Sequence, residues 1–494
     1  MSGSLAIRQK EELFLAKGVN NVIKNVTKKK KTKSQEKIAN VIQQSRLDKA
    51  VEAMISPESM TYITADLTNK NATLIMNCMI ESDVTVEDVD TRTYSLKSKN
   101  PHDQLRAVIA DNYKSYFNKQ YSKNENVEYI HDELVGAGFV ERLLAEDPTI
   151  TDIEWDAKHL RVVSNDEVNM VNGTDIGFDE KAANRLVQRF VIANGTEINQ
   201  NQPMFNGTYG NMRMSATHKA VSPYGMTFSL RLTRPKLALN EKTWRENNFA
   251  PEFVRLWFEN IVYARTNIVI AGETGSGKTE FQKYILGFAN PRDKFYLIED
   301  VAESHLKELY PDRLINSTLT SSKVTISDQI KQALRNNPEY IIVSETRGQE
   351  AFEMLQAALS SHTIITTVHA KDCRAIPRRF INMCMSGYDV SEEMLTNDIY
   401  NYFDIGVHLK AMVYKGKKIR YLSEMVEYYP DGSAVTLFKQ VFYNGKFYPL
   451  EIGEFSKEIK VRLAEHGKKV LDGDILRERL EEKGYVLGLP KELK

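Results

Sequence analysis

The chain has 494 residues, with 66 Lys+Arg against 66 Asp+Glu and a formal net charge of zero; at about 150 residues per domain it holds several domains and a sizeable core. The even charge balance speaks against a protein that coats nucleic acid, which carries a basic excess. Three cysteines without a C-x-x-C speak against a disulfide framework or a zinc ribbon, and the absence of an apolar run near 18 residues or of a signal-like start leads to the expectation of a cytoplasmic chain.

Residues 1–102 read as an N-terminal extension, partly helical or flexible. Its one feature is a basic run, Lys28, Lys29, Lys30, Lys31 and Lys33. Such a run is usually a solvated segment; the sharper alternative is contact with anionic lipid, where each Lys contributes about 1 kcal/mol.

Residues 103–235 read as a mixed α+β domain. Leu160–Val163 and Val168–Val171 are expected as strands around the turn Ser164-Asn165-Asp166. Asp179 is placed to cap a helix with Leu186, Val187, Phe190 and Val191 on one face, ending at Asn194-Gly195. Two further strands are expected at Met212–Thr217 and Met226–Leu232, and 236–250 reads as a linker.

In 251–430 strands alternate with helices. The strands are Ile268–Ala271, Phe295–Ile298, Tyr340–Val343 and Thr363–Val368, with helices starting near Gly277, Ser327 and Gln349. This alternation predicts a parallel sheet covered on both faces. Residues 431–494 read as a β-hairpin and helical extension, with hairpin signals at Pro430-Asp431-Gly432 and Asn444-Gly445.

The first strand of the alternating region runs into Gly272-Glu273-Thr274-Gly275-Ser276-Gly277-Lys278-Thr279, the G-x-x-x-x-G-K-T phosphate loop between a strand and a helix. Glycines let the backbone wrap so that several N–H groups point at phosphate oxygens. The helix N-terminus adds partial positive charge. Lys278 is expected on the β- and γ-phosphates of ATP, and the Thr279 hydroxyl on magnesium.

Two later strands end in carboxylates, Glu299-Asp300 and Glu345. The C-terminal ends of parallel strands face the ligand crevice. Glu345 is therefore a candidate for holding magnesium, and Glu299 for accepting a proton from, or positioning, the attacking water. Arg347, Arg335, Arg213, Arg231 and Arg234 are candidates for meeting the charge that spreads over the γ-phosphate, with an ordinary surface ion pair as the alternative for each. His369 follows the fourth strand and is a candidate γ-phosphate sensor; a zinc site made with His362 and Cys373 is a weak alternative.

The ordered blocks G-E-T-G-S-G-K-T, L-I-E-D-V-A-E (Leu297 to Glu303), L-R-N-N-P-E-Y-I-I-V-S-E-T-R-G-Q-E-A (Leu334 to Ala351) and T-T-V-H-A (Thr366 to Ala370) resemble the secretion ATPase superfamily. That superfamily powers type II and type IV secretion, conjugation and pilus assembly, and the likeness is strongest to the branch serving tight-adherence pili and type IV secretion. The resemblance covers roughly residues 135 to 430. It implies a RecA-like P-loop core, a smaller α+β (PAS-like) domain before it, and a homo-hexamer working with inner-membrane platform proteins at the inner face of the membrane. It assigns Glu299, Asp300 and Glu303 to the aspartate box, Glu345 to Walker B and His369 to the histidine box, with Arg213 and Arg231 as phosphate contacts. Ser344 departs from a usual Gly, Thr346 from an apolar residue, and Ser360-Ser361-His362 from Thr-Gly-His. The four zinc cysteines of some pilus and type II members are absent. A RecA-like nucleic-acid translocase is the alternative reading, although direct nucleic-acid contact is not expected from the charge balance.

Overall fold

The structure, a computed structural model, describes residues 33, 35–39, 57–80, 92–117, 122–165, 167–321, 323–469, 473–482 and 488. Lys28–Lys31 of the basic run lie outside the described residues; Lys33 is exposed. The chain divides into two compact units, one formed by residues up to Ser164 together with Val168–Leu232, the other by 165–167 together with Thr233 onward.

The first unit begins with helices α1 (Pro57–Ile80), α2 (Pro101–Asn112), α3 (Lys123–Leu134) and α4 (Phe139–Glu146). Local sequence starts two of them. Asn100 accepts from the His102 N–H ahead of Pro101 at N1 of α2, and Ser122 with Glu125 forms a capping box on α3. Leu67, Ile75 and Cys78 of α1 pack with Leu105, Ile109, Val127, Ile130 and Leu134 into a small core of their own. Strands β1 (Ile150–Trp155), β2 (His159–Ser164) and β3 (Val168–Asn172) follow. Helix α5 (Glu180–Ala193), capped by Asp179, leads to β4 (Met204–Tyr209), β5 (Met212–Thr217) and β6 (Thr227–Leu232). The six strands form one sheet in the order β3-β2-β1-β6-β5-β4, antiparallel at every pairing. Leu186, Val187, Phe190 and Val191 of α5 close its core against Ile153, Leu160, Met214 and Leu230.

The second unit is an α/β domain around a nine-stranded sheet. Its elements are α6 (Glu252–Tyr263), β7 (Ile268–Gly272), α7 (Lys278–Leu286), β8 (Phe295–Glu299), β9 (Ile315–Leu319), α8 (Ile326–Asn336), β10 (Tyr340–Val343), α9 (Ala351–Leu359) and β11 (Thr363–Val368). Helices α10 (Ala375–Gly387) and α11 (Glu392–Tyr402) precede strands β12 (Ile405–Tyr414), β13 (Lys417–Tyr428), β14 (Ala434–Tyr443) and β15 (Lys446–Ile452), then α12 (Lys457–Glu465) and α13 (Gly473–Glu482). The order is β15-β14-β13-β12-β7-β11-β10-β8-β9. From β12 to β9 every pairing is parallel. The strand of the phosphate loop, β7, is separated from the Glu345 strand, β10, by β11, which is the RecA-like arrangement.

The apolar runs are explained by burial on both faces. Ile268 and Ile270 enter one core with Phe258, Phe281 and Ile342, while Val269 and Ala271 enter the other with Ile298, Ile341 and Ile364. A strand covered on both sides has no polar alternation to show.

Residues 236–250 differ from a plain linker. Asn240 caps a helix at Glu241–Glu246, and the fully buried Trp244 packs on Phe249, Phe281 and Tyr284. Residue 430 is no structural border either. Strands β13 to β15 extend the same sheet by antiparallel pairing, and Ile459, Leu463 and Leu476 join the core that holds Phe438.

Candidate functional site

Residues Gly272–Thr279 connect β7 to α7 as a compact loop. Gly272 has φ +152 and Gly277 φ +91, a region that favours glycine. A Cβ on Gly272 would lie 2.5 Å from Leu409 O and 2.6 Å from Ser276 Oγ, so the loop also needs its first glycine for close packing against β12. The Lys278 ammonium is folded onto the loop, donating to Gly272 O at 2.9 Å and Glu273 O at 3.1 Å. Ser276 is fully buried, and its hydroxyl has no hydrogen-bond partner among the described residues. Glu273, Thr274 and Gly275 are exposed at the loop tip. One buried residue holds the helix behind the loop to the sheet: Gln282 Nε2 donates to Val343 O and Ile365 O, each at 3.2 Å.

In the same sheet, the ends of β8 and β10 carry two carboxylates in opposite settings. Glu299, at the end of β8, is buried. Its Oε1 accepts from Ser304 N (3.0 Å), Ser344 Oγ (3.1 Å) and Glu303 N (3.4 Å), and its Oε2 from Ser304 Oγ (2.9 Å). Burial raises its pKa above the ordinary value, and these donors offset part of the rise. Glu345, just past β10, is met by Arg347 Nη2 at 2.7 Å and His369 Nε2 at 3.1 Å. Burial pushes its pKa up, but the bond and charge of Arg347, with the charges of His369 and Lys278, outweigh it and hold the carboxyl below its ordinary value. Arg347 also reaches Asp300 at 3.3 Å, whose other oxygen accepts from Thr320 Oγ1. The structure thus brings Glu345, Arg347, His369 and Asp300 into one charged cluster, while Glu303 contributes its backbone N–H to Glu299.

The unusual residues of this segment have partners. Ser344 in place of glycine supplies a donor to Glu299. Thr346 in place of an apolar residue bonds Thr366 Oγ1 at 2.7 Å, with Thr346 1% exposed and Thr366 0%; two buried hydroxyls satisfy each other.

Arg213 and Arg231 lie in the first unit, directly opposite each other across β5 and β6. Like charges so placed repel, and Asp152, opposite Arg231 on β1, pairs with it at 3.0 Å. The weak zinc alternative finds no support at Cys373. The thiol is fully buried, its Sγ lies 3.6 Å from Glu424 O, and burial pushes its pKa well up, away from the thiolate a metal needs. Among the described residues the grouping with metal-compatible spacing is Glu128, His131 and Asp132, where Glu128 is already held by Arg92, Tyr94 and Arg106.

Magnesium fits the donor set at the loop. Thr279 offers a hydroxyl and Glu345 an ionised carboxylate, the hard oxygen ligands that this ion takes. The buried Ser276 hydroxyl and the folded-back Lys278 are donors suited to phosphate oxygens.

Two residues of β13 were invisible to the motif reading. Arg420 Nε donates to Gly275 O at 3.0 Å, and Lys418 Nζ lies 3.3 Å from where a Cβ on Gly275 would stand.

The family described as Type II/IV secretion system protein matches residues 200–397. An uncharacterized protein of Bacillus anthracis is 37% identical over 421 residues, 83% of this chain and 91% of the relative. A putative conjugal transfer protein of Mycobacterium tuberculosis is 32% identical over 268 residues, 51% of this chain and 74% of the relative. Among solved structures, the Legionella pneumophila ATPase DotB is 19% identical, covering 70% of this chain and 86% of its own, with a TM-score of 0.41, a likeness too loose to carry an argument. A RecA-like P-loop domain of this kind defines a P-loop nucleotide-binding protein. The chain belongs to the type II/IV secretion system protein family.

Proposed function

We propose that the chain is a magnesium-dependent ATP hydrolase that works as a homo-hexameric motor of a conjugation or type IV secretion machine. The observation that carries this reading is a phosphate loop at the end of β7 in the same parallel sheet whose strands β8 and β10 end in carboxylates of opposite character. In this reading Lys278, Ser276 and the loop N–H groups bind the phosphates. Glu345 and Thr279 hold magnesium, which supplies charge neutralisation at the phosphates. Glu299, with its raised pKa, takes the proton of the attacking water. His369 and Arg347 lie beside Glu345 and would respond to the γ-phosphate; Arg213 and Arg231 are the proposed further phosphate contacts. Conjugal transfer is favoured by the relative named above. No helix among the described residues is long and apolar enough to cross a membrane; the machine's inner-membrane platform proteins are the proposed partners, with the chain at the inner face.

The test is phosphate release from ATP by the full chain with and without magnesium. Lys278→Ala is expected to lower the rate by about 10²-fold or more, since it removes a charge placed at the developing negative charge. Undiminished hydrolysis in that variant would overturn the reading.

A further inference from the structure

The β12–β13 hairpin is tied to the phosphate loop along its whole start. β12 pairs with β7 in register, His408 with Ala271 and Leu409 with Gly272. β13 then runs back antiparallel, with Ala411 opposite Arg420 and Val413 opposite Lys418. Lys418 and Arg420 are two residues apart and so share one face of the strand. Both side chains come over the loop. Arg420 Nε holds Gly275 O at 3.0 Å, its Cδ lies 3.4 Å from where a Cβ on Gly277 would stand, and Lys418 Nζ has the corresponding distance of 3.3 Å at Gly275. Arg420 Nη1 meanwhile donates to Asn165 O at 3.0 Å, in the stretch 165–167 that groups with the second unit. The guanidinium is thus fixed by two carbonyls, in the fork geometry that only Arg provides.

We infer that Arg420 is a positioning residue of the nucleotide site, and that Lys418 beside it supplies positive charge for the phosphates of a nucleoside di- or triphosphate. Arg420 takes up the outward carbonyl of Gly275, which fixes the peptide planes of the loop tip and hence the direction of its N–H groups. Lys418 raises the potential at the same rim. Both act on phosphate binding rather than on the chemical step, because the carboxylates at the ends of β8 and β10 have other partners. This inference rests on the ATP-binding reading above.

The experiment measures binding of a fluorescent ADP and ATP to the full chain over a series of salt concentrations, with kcat and KM for hydrolysis, in Lys418→Ala, Arg420→Ala, Arg420→Lys and Lys278→Ala. Arg420→Ala is expected to weaken both nucleotides about tenfold, the worth of one charge-assisted hydrogen bond. Its kcat at saturation should stay within about threefold, and Arg420→Lys should recover part of the affinity. Lys418→Ala is expected to weaken binding about threefold and to flatten the salt dependence, as loss of one half-buried cation at the rim does. A fall in kcat with unchanged KM, or wild-type affinity and salt dependence in Lys418→Ala and Arg420→Ala while Lys278→Ala fails to bind, overturns the inference alone. A wild-type chain that binds neither nucleotide overturns the ATP reading and this inference with it.

Discussion

The ends of β8 and β10 hold the same residue type in opposite settings. Glu299 is enclosed by hydroxyls and backbone N–H groups, without a cation among its hydrogen-bond partners in the described residues, and its pKa rises. Glu345 stands between Arg347 and His369, and its pKa falls. Neighbouring carboxylates whose surroundings push them apart are suited to different tasks. A carboxylate with raised pKa can accept a proton near neutral pH; one held ionised by cations is a constant anion, fit to hold a metal or to anchor the groups around it. The sequence motifs name both as acids at strand ends, and only the surroundings separate their roles.

The strongest way to break this comparison is Glu299→Gln. Gln keeps an acceptor for Ser304 N and fits the space, so folding and nucleotide binding should persist. Removing a general base costs about 10²–10⁴-fold, and the turnover number should fall by that amount. Turnover within a few-fold of wild type would remove Glu299 from the proton-accepting role. The wild type should also show an acid limb in its rate profile above the ordinary Glu value of 4.5, because the active form is the deprotonated one and burial delays its appearance as pH rises.

Glu345→Gln tests the other half. The variant leaves Arg347 and His369 without their shared anion and deprives the site of a charged oxygen. Turnover should fall by about 10²-fold, and the magnesium concentration giving half-maximal rate should rise. A magnesium titration that superimposes on the wild type would show that Glu345 acts as an ion-pair anchor instead. The acid limb should not move, since Glu299 draws its hydrogen bonds from elsewhere.

Much of this site was legible from one sequence because its parts are local. The glycine spacing of the phosphate loop, and the apolar runs of β7, β8, β10 and β11, follow from chain-local rules once both faces of a sheet are buried. Asn444-Gly445 marked a hairpin, and both residues have positive φ, +47 and +85. Lys415-Gly416 makes the same kind of turn, with φ +50 and +83, but lysine is a weaker turn signal than asparagine and the β12–β13 hairpin went unread. Strands β4 (MFNGTY) and β9 (INSTL) escaped because they are edge strands of their sheets with exposed, polar positions. The helix at Glu241–Glu246 was hidden in a polar stretch whose Trp244 finds its partners only after folding. The same holds for Ser304 and Ser344: that their hydroxyls converge on Glu299 is a tertiary fact, and no spacing rule announces it.

Ser344 gives the finest test of the comparison. Its hydroxyl donates to Glu299 Oε1, and a hydrogen bond to the charged form lowers a carboxyl pKa. Ser344→Ala therefore removes a downward influence, and the pKa of Glu299 should rise further. The proton-accepting form then appears later as pH increases, so the acid limb of the rate profile should shift to higher pH. At the plateau the loss should be small, within about threefold, because Ser304 still supplies two donors and the base, once ionised, is slightly stronger. Ser344→Gly should behave in the same way, and Ser344→Thr, which keeps the hydroxyl, should leave the limb in place if its methyl is accommodated. The Glu345 side chain bonds Arg347 and His369 rather than the Ser344 hydroxyl, so the magnesium titration should be unchanged in all three. A limb that stays put in the Ala and Gly variants would mean that the group titrating in the rate profile is not Glu299, and that the contrast between the two strand ends does not set the pH dependence of turnover.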